Sequence, residues 1–456
     1  MKKHLLFLIV VFLKTVCLSA QSAFITEWDL SIPSSTTNSI NFYIDAVGDV
    51  GYGWISEDNQ NSGGGTISAG TAVQVIIDNL PEGKKIRLGL TAENLRRFRF
   101  GNGWGAANPD SERLVDIRLW GDVKWSSMSH AFKGCKNLTI SALDKPDLSN
   151  VTDMSYMFLF ADNFNADISD WDVSNVTDMK FMFYYNKIFN QDISGWDVSN
   201  VTDMSEMFHT ALLFNQDLSG WDVSKVTNMY NMFKNAESFN QDLGNWDVSN
   251  VTNMSGMFWS AKSFEADISD WDVSNVTDMR DILTSAYSFN HALGSWNLNA
   301  EVQLMHMLSY SGMDCINYSQ TLIDWSNKST IPSGRSLGST NLTYGPDAVN
   351  PRNKLISQKG WTITGDVFST TECNQMSVSD VEKEKTRIYP NPVQDVLFID
   401  SKSTIQKIEV YDVSGRLVST KTNSKSIQVN QLPKGNYIVK TTTDKGEVYT
   451  QKIIKN

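Results

Sequence analysis

The sequence predicts a mainly β protein with short helical turns, in which a solenoid of 25-residue repeats lies between two β-rich segments. Tryptophan recurs with this period in the middle of the chain, and columns of methionine and phenylalanine keep the same step. The flanking segments instead alternate apolar and polar residues in short runs that end at Gly, Asn or Pro, which is typical of β-strands. The tryptophan column consists of Trp171, Trp196, Trp221, Trp246, Trp271 and Trp296.

One copy of the repeat indicates how its side chains point. The best copy reads FNQDISGWDVSNVTDMSEMF at residues 189–208. Its WDV segment has the composition of a short strand, along which side chains alternate between the two faces. In the preceding copy we therefore expect Trp171 and Val173 to face inward and Asp172 to face solvent.

The residues that follow this strand predict one helical turn. Met179 and Phe183 are four residues apart, and spacings of three and four suit a helix. A single copy cannot bury these apolar side chains alone, so stacked neighbours must cover one another. Degenerate copies before and after the clear ones extend the predicted solenoid to residues 120–311.

Two features of the motif resemble known repeat proteins. The stretch Ile168 to Val173 reads Ile-x-x-Trp-x-Val with Asn175 after it, and it resembles the signature and the asparagine ladder of leucine-rich repeats. The longer motif WDVSNVTDM…MF is similar to that of the BspA family of leucine-rich-repeat surface proteins. The resemblance covers the predicted solenoid. It implies a leucine-rich-repeat-type fold and an adhesin that binds host matrix proteins or other bacteria.

The N-terminus predicts export. Two lysines precede a short apolar run at residues 5–13, and residues 18–20 form a suitable cleavage site. Residues 1–20 are therefore interpreted as a signal peptide, and no other segment has the length and apolarity of a transmembrane helix. Its removal takes three of the 39 basic residues and none of the 51 acidic ones, which leaves a net charge of −15. This charge argues against nucleic acid as a partner.

The regions on either side of the repeat have different patterns. Residues 21–119 alternate apolar and polar residues over runs such as Ile40 to Ile44 and Ile86 to Leu90, which predicts a β-rich domain. Residues 312–373 break the period of the repeat and are interpreted as a folded but irregular cap of the solenoid. Residues 374–385 are polar and charged, which is typical of a linker.

Residues 386–456 carry a third pattern of cleanly alternating strands and turns. Its motifs are, in order, Tyr389-Pro390-Asn391-Pro392, Ile408 to Val418, Leu432 to Lys440 and Lys452 to Lys455. In this order they are similar to the C-terminal sorting domain of the type IX secretion system, which we expect to be a β-sandwich. The resemblance implies a Bacteroidota-type bacterium and the type IX secretion machinery as a partner. It also implies that the domain is removed and that the protein is secreted or attached to the outer cell surface.

The pattern gives little support for catalytic or metal chemistry. The mature chain has four histidines, and no pair of them has the spacing of metal ligands. We therefore predict that the protein is not an enzyme and has no catalytic residue and no cofactor. Aspartates that recur in register, such as Asp167, Asp172 and Asp178, leave a Ca²⁺ site as an alternative to turn and capping roles.

Aromatic residues at positions that differ between copies are the candidate binding residues. One such column contains Tyr156 and Phe181, another contains Tyr184 and Trp259, and Tyr185 follows Tyr184 directly. Aromatic side chains anchor many protein interfaces. We therefore predict that a protein ligand docks on the helical-turn side of the first copies.

Three cysteines remain after export. Cys315 and Cys373 bracket the predicted cap, and we expect them to form a disulfide bond. Cys135 aligns with alanines of the later copies, so we expect it to be a small buried residue.

These observations favour a secreted or cell-surface binding protein, an adhesin or ligand-capture protein whose ligand is a host matrix protein, another cell or a glycan. Two alternatives remain open. A secreted glycan-degrading enzyme or its accessory module would need a catalytic carboxylate pair outside the repeat, where Asp45, Asp49, Glu57 and Asp58 are available. A structural surface-layer component would need neither a catalytic site nor a specific ligand.

Overall fold

The computed structural model describes residues 22–101, 105, 108–370, 373, 387–389, 393–401, 404–412, 416–444 and 448–455. The predicted signal peptide, residues 1–20, and the predicted linker, residues 374–385, lie outside the described residues. Parts of the C-terminal motifs, residues 390–392 and 413–415, lie outside them too. The chain divides into two compact units, Met1–Asn374 and Gln375–Asn456, and each is described by itself.

The first unit begins with two β-sheets. Their strands are β1 (Ala23–Asp29), β2 (Ile40–Ala46), β3 (Val50–Ser56), β4 (Ser62–Ile67), β5 (Gly70–Ile77), β6 (Lys85–Thr91), β7 (Leu95–Arg99), β8 (Leu114–Leu119) and β9 (Thr139–Ile140). The order is β4-β3-β6-β1-β8-β9 in one sheet and β5-β2-β7 in the other. Neighbours are antiparallel, except that β9 runs parallel to β8. A 3₁₀ helix, Pro109–Arg113, precedes β8.

The two sheets share one core. Strand β2 buries every second residue, as the alternation in its sequence predicts. The ring of Phe24 on β1 lies 5.4 Å from that of Phe98 on β7, and Trp28 lies 5.8 Å from Phe42 on β2. The β-rich character expected for this region is therefore confirmed.

The N-terminal sheets continue directly into the repeat. The N–H of Ser126 donates to the carbonyl oxygen of Arg96 on β7 (3.0 Å), and the N–H of Phe100 donates to that of His130 (3.1 Å). The ring of Trp120 packs edge-on against Trp171 at 5.6 Å. Strand β7 thus covers the first copy in the way that each copy covers the next one.

Each copy of the motif pairs with the next copy through residues at the same position of the repeat. Parallel bridges join Asp153 to Asp178, Asp178 to Asp203, Asp203 to Asn228, Asn228 to Asn253, Asn253 to Asp278 and Asp278 to Gln303. Alternate amides of each copy donate to the next copy, for example Tyr156 to the carbonyl oxygen of Lys180 (3.0 Å) and Phe158 to that of Met182 (2.9 Å). The apolar columns are buried between the copies.

The predicted helical turn is wrong. Residues 179–185 form consecutive β-turns, and the N–H of Met182 closes one of them on the carbonyl oxygen of Met179 (3.2 Å). Phe181, the third residue of that turn, has a φ of 57°. A right-handed helix excludes positive φ, whereas a type II turn requires it at this position.

The WDV segment is also not a strand. Trp171 and Val173 are buried and Asp172 is exposed, as expected, but the segment makes no ladder of backbone hydrogen bonds. Side chains hold it instead. The indole N–H of Trp196 donates to the carbonyl oxygen of Ile168 (3.2 Å), and the amide of Asn200 donates to that of Ser174 (2.8 Å).

The end of the first unit is regular, and the prediction of an irregular cap is wrong. Its elements are α1 (Cys315–Asn327), β10 (Ser336–Gly338), β11 (Thr343–Tyr344), α2 (Pro346–Lys359), β12 (Thr362–Thr364) and β13 (Val367–Phe368). Parallel pairing continues from Leu304 to Leu337 of β10 and from β10 to β12, and β11 pairs with β13. Asp314 caps α1 by accepting from the N–H of Asn317 (2.8 Å), and Gly360 ends α2 with a φ of 67°.

The described residues of the second unit form two further sheets. Its strands are β14 (Arg387–Tyr389), β15 (Val396–Asp400), β16 (Ile405–Asp412), β17 (Leu417–Thr422), β18 (Ser426–Gln428), β19 (Gly435–Thr443) and β20 (Val448–Lys455). Their order is β14-β15-β18 and β17-β16-β19-β20. Leu397 and Ile399 of the first sheet share a core with Ile408 and Val439 of the second.

Candidate ligand-binding surface

The variable column of Tyr156 and Phe181 coincides with positions of positive φ, and so does the column of Tyr185. One left-handed column contains Tyr156, Phe181, Glu206, Asn231, Gly256 and Asp281. A second contains Phe160, Tyr185, Thr210, Asn235, Ser260 and Ser285. The left-handed conformation costs a non-glycine residue about 1–2 kcal/mol. The turn geometry nevertheless recurs in every copy, so the side chains of one column leave the backbone in the same way and lie side by side.

The rings of His130, Tyr156 and Phe181 in the first copies stack face to face. We call these three rings the aromatic ladder, together with those of Phe160, Tyr184, Tyr185 and His209. The ring of His130 lies 4.6 Å from that of Tyr156, with 18° between their planes. Tyr156 lies 4.8 Å from Phe181, at 9°. The faces of these rings therefore cover one another.

The aromatic ladder continues through Tyr184. Its ring lies 5.5 Å from Phe181, 4.9 Å from Tyr185 and 4.7 Å from His209. Phe160 packs edge-on against both Tyr184 and Tyr185. The four predicted residues of the early copies are thus one connected, partly exposed cluster.

The fifth predicted residue, Trp259, lies apart from this cluster. It stands two copies beyond His209 in the same column, and Lys234 lies between them in sequence register. The ammonium group of Lys234 is 3.8 Å from the centroid of the Trp259 ring, which is a cation–π contact.

A buried polar group supports the middle of the ladder. Nδ1 of His209 is in hydrogen-bonding contact with one carboxylate oxygen of Glu206, and the amide of Asn231 donates to the other (2.9 Å). Burial raises the pKa of Tyr184 to about 12, with a smaller contribution from the negative charge of Glu206. The hydroxyl group of Tyr184 is therefore neutral at physiological pH. The sequence analysis did not select His130 and His209 as binding residues, because it followed only Phe, Tyr and Trp along the variable columns. His209 occupies the position of Tyr184 in the next copy, and that register was the available signal.

The recurring aspartates serve the turns. Asp172 accepts from the N–H of Ser174 (3.1 Å) and from its hydroxyl (2.6 Å), and Asp167 accepts in the same way from Ser169. These serine hydrogen bonds hold the pKa of both aspartates below the usual range. Among the described residues, no group of three His, Cys, Asp or Glu side chains is placed to hold a metal ion. The Ca²⁺ site stays an alternative to these turn roles.

Three of the four carboxylates considered for a catalytic pair have other partners. Asp45 contacts Arg97 and Arg99, and Asp58 forms an ion pair with Lys84. Asp49 accepts from the N–H of Ala69 (3.3 Å).

Two cysteines of the first unit are joined. Cys315 at the start of α1 and Cys373 form a disulfide bond with their Cα atoms 5.4 Å apart, so the segment with both cap helices is closed on itself. Cys135 is free and fully buried, and burial raises the pKa of its thiol well above the usual value.

Comparison with known families locates two matches along the chain. Residues 126–243 and 213–325 match a family described as "Mycoplasma protein of unknown function, DUF285". Residues 387–456 match the family described as "Secretion system C-terminal sorting domain". The C-terminal segment is a type IX secretion sorting domain. No curated protein matches the chain.

The sorting domain decides where the protein acts. It directs the chain to the type IX secretion machinery, so the protein is secreted or attached to the cell surface. Within the described residues, none of the helices has both the length and the apolarity to cross a membrane. The resemblance of the C-terminal motifs to this domain is therefore confirmed, and the protein faces the environment of the cell.

Proposed function

We propose that this exported protein is a BspA-like adhesin or ligand-capture protein that binds a protein on the aromatic ladder. In this proposal residues 120–311 are a leucine-rich-repeat-type solenoid. The parallel bridges between equivalent residues of successive copies and the match of residues 126–325 to a repeat-bearing family support that description. The role is binding, without catalysis, and it suits the location that the sorting domain implies.

The observation that carries the proposal is the ladder itself. Most positions of the repeat are nearly constant, and constant side chains are explained by core packing and turns. The ladder residues differ from copy to copy, yet Tyr156, Phe181 and Tyr184 form one connected aromatic surface in early copies. Clusters of partly exposed aromatic rings are typical of the centre of protein interfaces.

The stacking favours a protein ligand over a glycan. A sugar ring binds by lying on the open face of an aromatic ring, but the faces of Tyr156 and Phe181 are 4.8 Å apart and cover each other. Ring edges remain for contact. Edges pack well against aliphatic and aromatic side chains of a partner protein.

The test is the double substitution Tyr184→Ala and Tyr185→Ala in the full chain. We expect adhesion to immobilised extracellular matrix proteins or to bacterial cells to weaken about thirtyfold, since truncating an aromatic anchor costs about 2 kcal/mol or more. The matched control is Tyr287→Ala, at an exposed tyrosine of a later copy that lies outside the ladder. Circular dichroism must show that all variants are folded.

One result would contradict the proposal. If adhesion is unchanged in the double variant but is lost when Asp172 and Asp197 are replaced by Asn, the exposed aspartate row is the binding site and the aromatic ladder is not.

A further inference from the structure

A row of side chains, one from each of five successive copies, runs along the repeat just after the ladder positions of each copy. We call it the charge row, and its members are, in order, Asp162, Lys187, Leu212, Glu237 and Lys262. Lys187 forms an ion pair with Asp162 (2.7 Å), and Lys262 forms one with Glu237 (2.8 Å). The four charged side chains keep between 25% and 48% of their surface exposed, so a partner molecule can reach them.

The backbone holds the charge row at an even spacing. The N–H of Leu213 donates to the carbonyl oxygen of Lys187 (3.1 Å), and the equivalent bond recurs one and two copies later (both 3.2 Å). Chain segments that are hydrogen bonded in this way lie about 4.8 Å apart, so the five members span about 19 Å.

The centre of the charge row is apolar. Beside Leu212, Leu213 is 52% exposed, and Ile188, at the position of Leu213 one copy earlier, is 38% exposed. The other three copies of the row have a polar residue at that position, namely Asn163, Ser238 and Ser263. Burial of aliphatic side chains against a partner is favourable, and the centre lies between two charged halves.

The sign of the charge reverses across this centre. The first charge on one side of Leu212 is the cation Lys187, and the first on the other side is the anion Glu237. The second charges, Asp162 and Lys262, are also opposite in sign. A two-fold axis that sets two such rows antiparallel joins positions at equal distances from Leu212. Every charge of one row then meets a charge of opposite sign.

We propose that the charge row is a self-association surface, on which a second molecule of this chain docks antiparallel about a two-fold axis at Leu212. In this dimer Lys187 faces Glu237 of the partner subunit, and Asp162 faces Lys262 of the partner subunit. Each ion pair within one chain therefore meets a reversed pair, and the four charges form a network, which stabilises more than isolated exposed pairs do. A parallel dimer would instead set each charge against its own like charge.

The surface is short, so the dimer is weak. Interfaces below about 1,200 Å² belong to weak or transient complexes. We expect a dissociation constant of about 10–100 µM, which suits proteins crowded on a cell surface. The net negative charge of the chain opposes association, but at about 0.15 M salt it is screened beyond about 8 Å, and charges in contact are screened less. None of the ladder residues takes part, so the inference goes beyond the proposed function.

The experiment is sedimentation equilibrium of the full chain at about 0.15 M salt, with concentrations from about 5 to about 500 µM. Two half-reversed variants test the charges. One carries Asp162→Lys with Lys187→Glu, and the other carries Glu237→Lys with Lys262→Glu. Each keeps the net charge of the chain and its own internal ion pair, so each should fold. Each should associate at least about tenfold more weakly, because like charges then face each other across the axis.

Mixing the two half-reversed variants should restore the dimer, since every charge in the mixed pair again meets one of opposite sign. The variant with all four substitutions should also dimerise. This rescue separates a contact between two molecules from an effect within one molecule. The apolar centre is tested by Leu213→Ser, which should weaken association about fivefold or more. Its matched control is Met305→Ser, at a residue outside the row that is 49% exposed.

Three outcomes overturn the surface. They are a full chain that stays monomeric at the highest concentration, half-reversed variants that dimerise as well as the unsubstituted chain, and a mixture of the two that does not recover the dimer. Circular dichroism must show that the variants are folded. Leu213→Ser changes no charge, so it keeps the test decisive if a reversed variant does not fold. Equal association of Leu213→Ser and Met305→Ser would then overturn the surface.

Discussion

The indole N–H of Trp196 donates to the carbonyl oxygen of Ile168, 3.2 Å away in the preceding copy. The same bond joins Trp221 to Ile193, and the series continues through Trp325 to Leu293 in the C-terminal cap. Each of these carbonyl oxygens also accepts a backbone N–H within its own copy, as Ile168 does from Trp171 (3.2 Å), so the indole is a second donor that joins one copy to the preceding one.

Replacing Trp221 by Phe should therefore destabilise the repeat. The change removes one of the two donors to the carbonyl oxygen of Ile193, which keeps the N–H of Trp196 (3.1 Å), and it also removes part of a packed ring, for a loss of about 2 kcal/mol. Urea unfolding followed by circular dichroism measures the effect. Tyr287→Phe, at an exposed ring, is the control and should change little. A loss below about 0.5 kcal/mol in Trp221→Phe would show that the indole bond is not needed.

The stacking of the copies could be predicted from the sequence because the period is explicit. The conformation between Met179 and Tyr185 could not, since apolar spacings of three and four suit a helix and a run of β-turns equally well. Only the sign of φ at Phe181 separates the two. The presence of Asn231 and Gly256 in the same column was the available hint, because those residues tolerate positive φ.

The candidate site could be predicted in part. Tyr156, Phe181 and Tyr184 were found because they vary within a regular column. The contact between Arg97 and Asp45 could not be predicted, because the two residues are far apart in sequence and meet only through the pairing of β7 with β2.

At Asn186 one copy carries a different type of residue from the other copies of the repeat. It is fully buried, and neither polar atom of its side-chain amide has a hydrogen-bond partner among the described residues. The other copies have a small apolar residue there, namely Ala161, Ala211, Ala236, Ala261 and Ala286. Asn186→Ala should therefore stabilise the protein by about 1–3 kcal/mol in urea unfolding. The reciprocal change, Ala211→Asn, should destabilise it, and equal stabilities of the two variants would contradict this explanation.

The bond between Cys315 and Cys373 should contribute strongly to the stability of the cap. It closes a sequence separation of 58 residues, and chain entropy gives about 4 kcal/mol for a loop of this length. The double substitution to Ala should lower the unfolding midpoint, and reductant should then have no further effect. Cys135→Ala is the control for loss of a free thiol. Titration of the unfolded, oxidised mature chain should find one thiol, and a count of three would contradict the bond.

The turn aspartates predict loss of stability in acid. Hydrogen bonds from serine hydroxyl groups hold the pKa of Asp172, Asp222 and Asp272 below the usual range. Their contribution is therefore complete above the unfolded pKa of about 3.9, and it is lost as the pH falls through the folded values. Burial instead raises the pKa of Asp178, so protonation of this carboxyl group does not reduce the stability of the folded protein as it does for the other three.

Urea unfolding between pH 5 and about pH 2.5 tests this effect. The triple substitution of Asp172, Asp222 and Asp272 by Asn keeps the oxygen acceptor of each turn but removes the titrating group. Its stability should depend less steeply on pH than that of the unsubstituted chain. Identical slopes for the two proteins would show that these carboxylates do not govern acid unfolding.

Export predicts where the mature chain ends. The sorting domain begins at residue 387, and the boundary between the two compact units falls at Asn374 and Gln375. Cleavage between Asn374 and residue 387 would leave a first unit whose last described residue, Cys373, is anchored to α1 by its disulfide bond. Mass spectrometry of protein released from intact cells should therefore find peptides up to about Cys373 and few from residues 387–456. Deleting residues 387–456 should retain the chain inside the cell, because the signal for the secretion machinery is lost. Full recovery of the C-terminal peptides from the cell surface would mean that the sorting domain stays attached after export.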